Sequence, residues 1–436
     1  MIGNVRDIFK IPELRRKILF TFAILIVYRI GGHIPTPGIN GQALVEFFAA
    51  SGGNTLFGLY DMFVGGAFKK VTIFALGIMP YISASIILQL LTAVFPYFEK
   101  LKKEGEEGQK KITQYTRYGT VVLSLLQAYG ISVFIESIPL QSGASVVHHP
   151  GLAFRLLTML TLASGTVFIM WLGEQITEHG IGNGISLIIF IGIVARLPGA
   201  LLKSVQMLRY GQMNIFQLAV IGILAILVTA ACILITQGQR KIPVQYAKQI
   251  RGRKVYGGQT THIPLRINTA GVIPIIFAQS LIMFPGTIAA FIKAEFMQDL
   301  AASLQPGKPI YMILFSAMVI FFAYFYTAIV FNPIDLADNM KKHGGFIPGV
   351  RPGKRTSDYI DRVLGRITLP GAVFLAAIAI LPYFLMQGLN VPFYMGGTGM
   401  LIVVGVALDT LRQIETHLLM RHYDGFMKKG RIRGRR

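Results

Sequence analysis

Ten predominantly apolar runs recur along this chain of 436 residues. Each is about long enough to cross the roughly 30 Å hydrocarbon core of a bilayer as an α-helix. This pattern predicts an all-α polytopic membrane protein, because a helix satisfies its own backbone hydrogen bonds inside lipid. Charged residues make up only 14% of the chain, well below the roughly 25% typical of soluble domains. The ten runs lie at about residues 18–35, 71–95, 118–136, 152–173, 184–202, 215–236, 270–292, 310–331, 367–386 and 398–414.

The positive charge of the chain, a formal +22, is concentrated on one side of the predicted membrane. Of the 42 lysines and arginines, 33 lie in the N-terminal segment, in alternate loops and in the C-terminal tail, whereas the opposite loops hold four. Because basic loops stay in the cytoplasm, this asymmetry predicts that both termini are cytoplasmic. The first run ends at Pro35 without a small-residue cleavage pattern, so we expect it to stay as a span. No direct DNA binding is expected.

Two cytosolic loops, 237–269 and 332–366, hold seven lysines and arginines each, and the first contains no aspartate or glutamate. A basic loop can simply fix the topology and attract anionic lipids. Loop 237–269 is longer than that role requires, which also fits a docking finger for an acidic or RNA-containing partner. The residues alone leave both interpretations open.

A six-residue echo suggests that the chain is built from two halves. The second run contains Gly77-Ile-Met-Pro80-Tyr-Ile and the seventh contains Gly271-Val-Ile-Pro274-Ile-Ile. If each half holds five spans, these runs are equivalent and the second half is inverted in the membrane. Pro80 and Pro274 are then expected to kink their spans. The predicted organisation is a cytosolic N-terminal segment, a first half, an external hinge loop, a second half and a basic cytosolic tail, at residues 1–17, 18–202, 203–214, 215–414 and 415–436.

The segment 51–68, which precedes the second run, is apolar, short and interrupted by glycines. It is too short to cross the membrane alone. One interpretation is a re-entrant helix that plugs a protein-lined cavity, and the other is an interfacial helix on the outer leaflet. The pattern favours neither.

No motif in the sequence points to catalysis. There is no Walker A sequence and no recognisable serine–histidine–aspartate spacing, so we expect no enzyme, no metal site and no cofactor. Two function classes stay open: a passive channel driven from outside, and a secondary transporter of a small solute built on an inverted repeat. No carboxylate lies near a predicted midplane, and the cytosolic loops are long and basic, and both features favour the channel.

Several long stretches resemble the SecY family, the bacterial protein-conducting channels of the Sec translocon. The longest are IFALGIMPYISASIILQLL at 73–91 and WLGEQITEHGIGNGIS at 171–186. Others lie at 110–119, 331–333, 346–353 and 391–398. The resemblance implies ten helices in two inverted five-helix halves that open like a clamshell, with a re-entrant plug helix. It further implies a subunit of the bacterial cytoplasmic (inner) membrane that passes unfolded preproteins across and releases transmembrane segments sideways.

The same resemblance assigns roles to individual residues of this chain. A hydrophobic ring at the midplane would comprise Ile78, Ile82, Ile185, Ile189, Ile276 and Ile402. The plug, 54–68, would include Asn54, Leu56, Phe57, Leu59, Tyr60, Asp61, Met62 and Phe63. A lateral gate between spans 2–3 and 7–8 would include Ser83, Gln127 and Gln279. Arg253 and Arg351, in the two long basic loops, would dock the cytosolic partners.

Implied partners are the small membrane subunits SecE and SecG, the motor ATPase SecA, the ribosome, and signal peptides with their unfolded preproteins. Anionic lipids are expected beside the basic loops.

Overall fold

The computed structural model describes residues 11–41, 43–44, 47, 56–138, 146–211, 214–246, 249–251, 254–256, 260–291, 299, 302–389 and 397–429. The chain divides into two compact units. The first comprises Met1–Gln212, Ser280–Lys308 and Val406–Arg436, and the second comprises Met213–Gln279 and Pro309–Gly405. Both units are largely helical, as the apolar runs predict.

The first unit contains helices α1 (Pro12–Gly31), α2 (Leu56–Val64), α3 (Met79–Val94), α4 (Pro96–Lys103), α5 (Glu106–Glu136), α6 (Leu152–His179), α7 (Gly184–Val194) and α8 (Leu197–Arg209). The second unit begins with helix α9 (Ile215–Gln237) and strands β1 (Gln239–Tyr246), β2 (Gln249–Arg251), β3 (Lys254–Tyr256) and β4 (Thr260–Arg266). Then follow helix α10 (Ile273–Phe291), helices α11 (Pro309–Val330) and α12 (Pro333–Lys342), strand β5 (Gly345–Phe346), and helices α13 (Lys354–Leu389) and α14 (Gly397–Lys429). Helices α10 and α14 each contribute residues to both units.

Several helices could cross a membrane. In the described part of the chain six segments are long and apolar enough, or seven if the bent pair α3 and α4 counts as one span. The six are Glu106–Glu136, Leu152–His179, Gly184–Arg209, Ile215–Gln237, Pro309–Lys342 and Lys354–Leu381. Helices α1, α10 and α14 overlap three more of the predicted runs. The polytopic helical fold is confirmed, and the count of ten spans stays a prediction.

The echo between the second and seventh runs has a structural counterpart. Gly77 and Gly271 both have positive φ, at 55° and 63°, and a helix begins two residues after each, at Met79 and Ile273. The left-handed conformation that glycine permits therefore sets the direction of both helices. The prediction that the two prolines kink their spans is wrong. Each proline occupies the first turn of its helix, where its missing N–H leaves no helical hydrogen bond unmade.

The second predicted run is therefore not one straight helix from 71 to 95. Its first residues form a series of turns, and Val71 has φ 40°, a conformation that a β-branched residue rarely adopts. At the other end, helices α3 and α4 meet at a bend of 97°, where Pro96 begins the new helix. Lys100, Lys102 and Lys103 follow in the last turn of α4.

The stretch 180–184 forms a tight entry to α7, in which neighbouring side chains satisfy the backbone donors. The N–H groups of Ile181 and Gly182 donate to Thr21 Oγ1 and Gln413 Oε1, at 3.1 and 2.9 Å. Asn183 caps α7 by accepting from the N–H of Ser186 at 3.1 Å.

The sequence does not predict the strands that the structure places in the second unit. Strand β1 lies between β4 and β5 in a three-stranded antiparallel sheet, in which Ile242 pairs with Ile263 and Gln245 with Phe346. The sheet therefore joins loop 237–269 to loop 332–366. Its inner face packs on α12 and α13 in a buried apolar core comprising Ile242, Val244, Leu265, Met340, Ile347, Ile360 and Leu364.

Candidate functional site

The six isoleucines predicted to form a ring are distributed over both units. In the first unit, Ile78 and Ile82 are buried at the start of α3. Ile185 and Ile189 are one turn apart on α7, with Ile185 half-buried and Ile189 buried. In the second unit, Ile276 of α10 and Ile402 of α14 are both buried. A ring that joins the two sets stays a prediction.

The segment predicted as the plug contains a short helix, α2, that packs inside the first unit. Tyr60, Asp61, Met62 and Phe63 are all buried. The Tyr60 hydroxyl donates to the carbonyl of Leu76 at 2.8 Å. Such burial favours a helix enclosed by protein over an interfacial helix on the outer leaflet. Asn54 lies outside the described residues, as do the side chains of Leu56, Phe57 and Leu59.

The predicted gate residues have unequal surroundings. Ser83 is half-buried on α3, whereas Gln127 is buried on α5 and its Oε1 atom has no hydrogen-bond partner among the described residues. A buried polar atom without a partner weakens the local packing, because its lost hydration is not replaced.

Gln279 on α10 is fully buried at one end of a polar chain in the second unit. The Tyr311 hydroxyl donates to Gln279 Oε1 at 3.2 Å, and the Tyr383 hydroxyl donates to the Tyr311 oxygen at 3.3 Å. The Nε2 donor of Gln279 finds no acceptor within the described part of the chain. Sequence reasoning missed both tyrosines, because their positions on other helices are set by tertiary packing.

Ser280, the next residue, was also missed. Its hydroxyl lies 3.7 Å from the Met79 sulfur in the interior of the first unit. The polar pair Gln279-Ser280 within an otherwise apolar run was the signal that could have found it.

The outer face of the sheet in the second unit is basic. Lys241 and Arg266 lie on this face and are exposed, and His262 lies beside them. The alternation along β1 explains the arrangement, since Ile242 and Val244 point into the core and the residues between them point away.

Arg351 lies in a turn that displays it. Gly349 and Gly353, on either side, have φ values of 81° and 101°, a conformation that favours glycine. The carbonyl of Arg351 accepts a hydrogen bond from Thr356 Oγ1 at 2.9 Å, while its side chain is exposed. The turn therefore presents a guanidinium to solvent from a fixed backbone. Arg253, predicted to share its role, lies outside the described residues.

The comparisons with known proteins agree with one another. The SecY family model matches residues 72–411. The protein translocase subunit SecY of Pseudomonas aeruginosa is 50% identical over 428 residues, which cover 97% of this chain and 95% of that protein. The chain belongs to the SecY family. This SecY-family membership favours the channel over the secondary transporter.

Two solved structures resemble the fold of this SecY-family chain. One, described as the structure of a protein conducting channel, has a TM-score of 0.66 at 19% identity and covers 95% of this chain and 97% of its own. The other is a SecY protein whose plug domain is described as stabilising the closed state of the translocation channel. Its TM-score is 0.64 at 20% identity, with coverage of 95% and 97%.

Proposed function

We propose that this chain forms the central channel of a Sec translocon in the bacterial cytoplasmic membrane. It passes unfolded preproteins across that membrane and releases transmembrane segments sideways through a lateral gate. The observation that carries the proposal is the 50% identity to a protein translocase subunit along 97% of the chain. The channel is passive, so the energy comes from a SecA-type motor or a translating ribosome, and the chain itself catalyses no reaction.

The seal of this channel is assigned to the six isoleucines. A ring of apolar, β-branched side chains excludes water when the pore is empty, because a narrow apolar constriction dewets. The same side chains offer no hydrogen bond to a passing polypeptide. Burial of Ile78, Ile82, Ile189, Ile276 and Ile402 supports this role, since each is already withdrawn from lipid.

The plug and the lateral gate have separate roles beside this seal. Helix α2 covers the pore from outside in the resting state and moves away when a preprotein enters. Apolar segments of a preprotein leave between spans 2–3 and 7–8, past Ser83, Gln127 and Gln279. Imperfect hydrogen bonding at Gln127 and Gln279 supports a seam that opens, because less free energy holds it shut.

Docking of the motor and the ribosome is assigned to Arg351 and Arg253, which lie in the two long basic loops of the sequence. An exposed guanidinium binds carboxylate or phosphate through two parallel hydrogen bonds. The charge asymmetry of the sequence supports a cytoplasmic position for both loops and both termini. SecE and SecG complete the translocon in the membrane, and anionic lipids neutralise the remaining basic residues.

Site-specific crosslinking of a stalled preprotein tests the channel. Cys232 is the sole cysteine of the sequence, so a Cys232→Ala chain provides a background in which single cysteines report one position each. Cysteines replace Ile78, Ile189, Ile276 and Ile402 in turn, and Ile226 of α9, which is 72% exposed, provides the matched control.

We expect crosslinks from the four ring positions to the translocating part of the preprotein and none from position 226. Equal crosslinking at all five positions would contradict the pore assignment. Failure of membranes carrying the reconstituted translocon to import any preprotein would contradict the function itself.

A further inference from the structure

The plug helix α2 carries a carboxylate that is withdrawn from solvent. Asp61 is fully buried, and its Oδ1 atom accepts the backbone N–H of Lys69 at 3.0 Å. Its Oδ2 atom lies 3.4 Å from Nη1 of Arg196. A buried carboxylate loses much hydration free energy, so a nearby cation is needed to keep it charged.

Arg196 comes from another segment, the fifth span. It occupies the two-residue break between α7 and α8, where it precedes the first turn of α8. Its side chain is 37% exposed, so the guanidinium bridges the buried carboxylate and the surface. The break between the two helices therefore places Arg196 within reach of Asp61.

The C-terminal end of the plug helix is held by the first span. The Tyr28 hydroxyl donates to the carbonyl of Val64 at 3.4 Å, and Arg29 Nη1 donates to the carbonyl of Gly65 at 3.3 Å. These contacts satisfy carbonyls that a helix end leaves unpaired. The Arg29 guanidinium is also attracted by the partial negative charge at the C-terminal end of the helix dipole. The first span therefore binds the C-terminal end of the plug helix through two hydrogen bonds.

Two glycines bring the plug backbone against α7. A Cβ at Gly192 would lie 2.8 Å from the Phe63 carbonyl oxygen, and one at Gly65 would lie 2.9 Å from the Cα of Gly192. The plug is thus seated directly on the helix that leads to Arg196.

We infer that Asp61 and Arg196 are positioning residues that hold the plug closed and so set how strong a signal sequence must be to open the channel. This inference rests on the proposed function. When the plug moves away, the pair separates and the Asp61 carboxylate regains water. The ion pair therefore stabilises only the closed state, and a preprotein must supply the free energy to break it.

Substitution of one partner shifts this balance. Asp61→Asn removes the charge but keeps the shape, and Arg196→Gln leaves the carboxylate without its cation. Either change should raise the resting conductance of reconstituted channels about tenfold or more. The reason is that removal of one partner of a buried ion pair strongly destabilises the closed state that contains the pair. Both should also transport a preprotein with a defective signal sequence, which the wild-type channel rejects.

A double-mutant cycle separates the pair from general destabilisation. The combined Asp61→Asn, Arg196→Gln channel should leak less than the sum of the two single effects, because either change already breaks the pair. Arg196→Lys should restore most of the closed state, because it keeps the charge. Arg155→Gln is the matched control, since it breaks an arginine–glutamate pair that does not involve the plug.

Wild-type conductance and stringency in both single variants, with normal transport, would overturn the inference and leave the proposed function intact. A leak from Arg155→Gln equal to that from Arg196→Gln would also overturn it. If the unaltered chain transports no preprotein, the proposed function fails first.

Discussion

Arg117 of α5 and Glu174 of α6 form a two-point ion pair, in which Nε donates to Oε1 at 2.9 Å and Nη2 donates to Oε2 at 2.8 Å. Nineteen residues further along α5 and nineteen back along α6, Glu136 and Arg155 form a second pair, with Nε to Oε2 at 2.8 Å. Nineteen residues of α-helix extend about 29 Å, which matches the roughly 30 Å hydrocarbon core of a bilayer. The separation of the two pairs along this helix hairpin is therefore about the thickness of a bilayer core.

These ion pairs should contribute unequally to stability. Glu174→Gln should lower the free energy of unfolding by about 1 kcal/mol or less, because the Arg117 side chain is half exposed. Glu136→Gln should cost more, since Glu136 Oε1 also accepts the N–H of Gly151 at 3.0 Å. Thermal unfolding in lipid nanodiscs at low and high salt measures both. A larger loss of unfolding free energy from Glu174→Gln than from Glu136→Gln would contradict this ranking.

The polar chain at Gln279 should hold helix α10 in place. Tyr311→Phe removes the donor to Gln279 and leaves a buried amide unpaired, which should cost about 1–3 kcal/mol of stability. Tyr324→Phe, on the same helix, is the control: Tyr324 donates to the carbonyl of Gly365 at an exposed site and should matter less. Denaturant titration measures the free energy of unfolding of both variants and of the double variant Tyr311→Phe, Gln279→Leu. If the losses of stability at positions 311 and 279 simply add, the two residues are not coupled.

Reduction of apolar bulk at the isoleucines should open the seal. Ile402→Ala, alone or combined with Ile78→Ala and Ile276→Ala, should raise the resting ion conductance and relax signal-sequence stringency, because dewetting depends on a narrow apolar constriction. Ile226→Ala removes equal bulk from an exposed side chain and should leave conductance unchanged. Planar-bilayer recordings decide. An unchanged conductance in the triple variant would refute the ring.

Charge reversal at Arg351 should block motor-driven and ribosome-coupled transport while the chain inserts normally. Loss of a desolvated arginine contact costs about 2–5 kcal/mol of binding free energy. Topology should not change, since 33 basic residues against four survive the loss of one. Arg351→Lys should be partly tolerated.

Arg362→Glu, an exposed arginine on α13, is the control for Arg351→Glu. Preprotein import into vesicles and a protease map of topology are measured side by side. A flipped topology would return Arg351 to a purely topogenic role.

The sheet core should link the two basic loops. Ile360→Ala, at a fully buried position of α13, should cost about 2–5 kcal/mol by leaving a cavity. Leu369→Ala, on the same helix but 50% exposed, should cost much less in a lipid environment. Hydrogen exchange should show that Ile360→Ala loosens the backbone of β1 and β4 together with β5. Loss of protection in only one loop would show that the loops fold independently.

The sequence predicts the helices of this chain well because a span in lipid must be apolar and about twenty residues long. The six-residue echo locates Gly77 and Gly271, but their positive φ values become evident only in the structure. Pro80 and Pro274 were misread because a proline in the first turn and one in the middle of a helix leave the same trace in sequence.

Contacts between distant segments were beyond the sequence. Asp61 and Arg196 are 135 positions apart, and nothing local to either residue indicates the other. In strands β1 and β4, buried and exposed residues alternate over only a few positions. So short an apolar pattern is not distinctive in a loop dominated by basic residues. A charge count finds the basic surface but not the core beneath it.

The shared core of the two basic loops has a mechanical consequence. Strand β1 follows α9 directly, β4 leads to α10, and β5 lies between α12 and α13. A flexible loop would bend under an applied force and transmit little of it to the helices on either side. A packed sheet is stiff, so a displacement of one basic loop is transmitted to the ends of all the helices that the sheet connects.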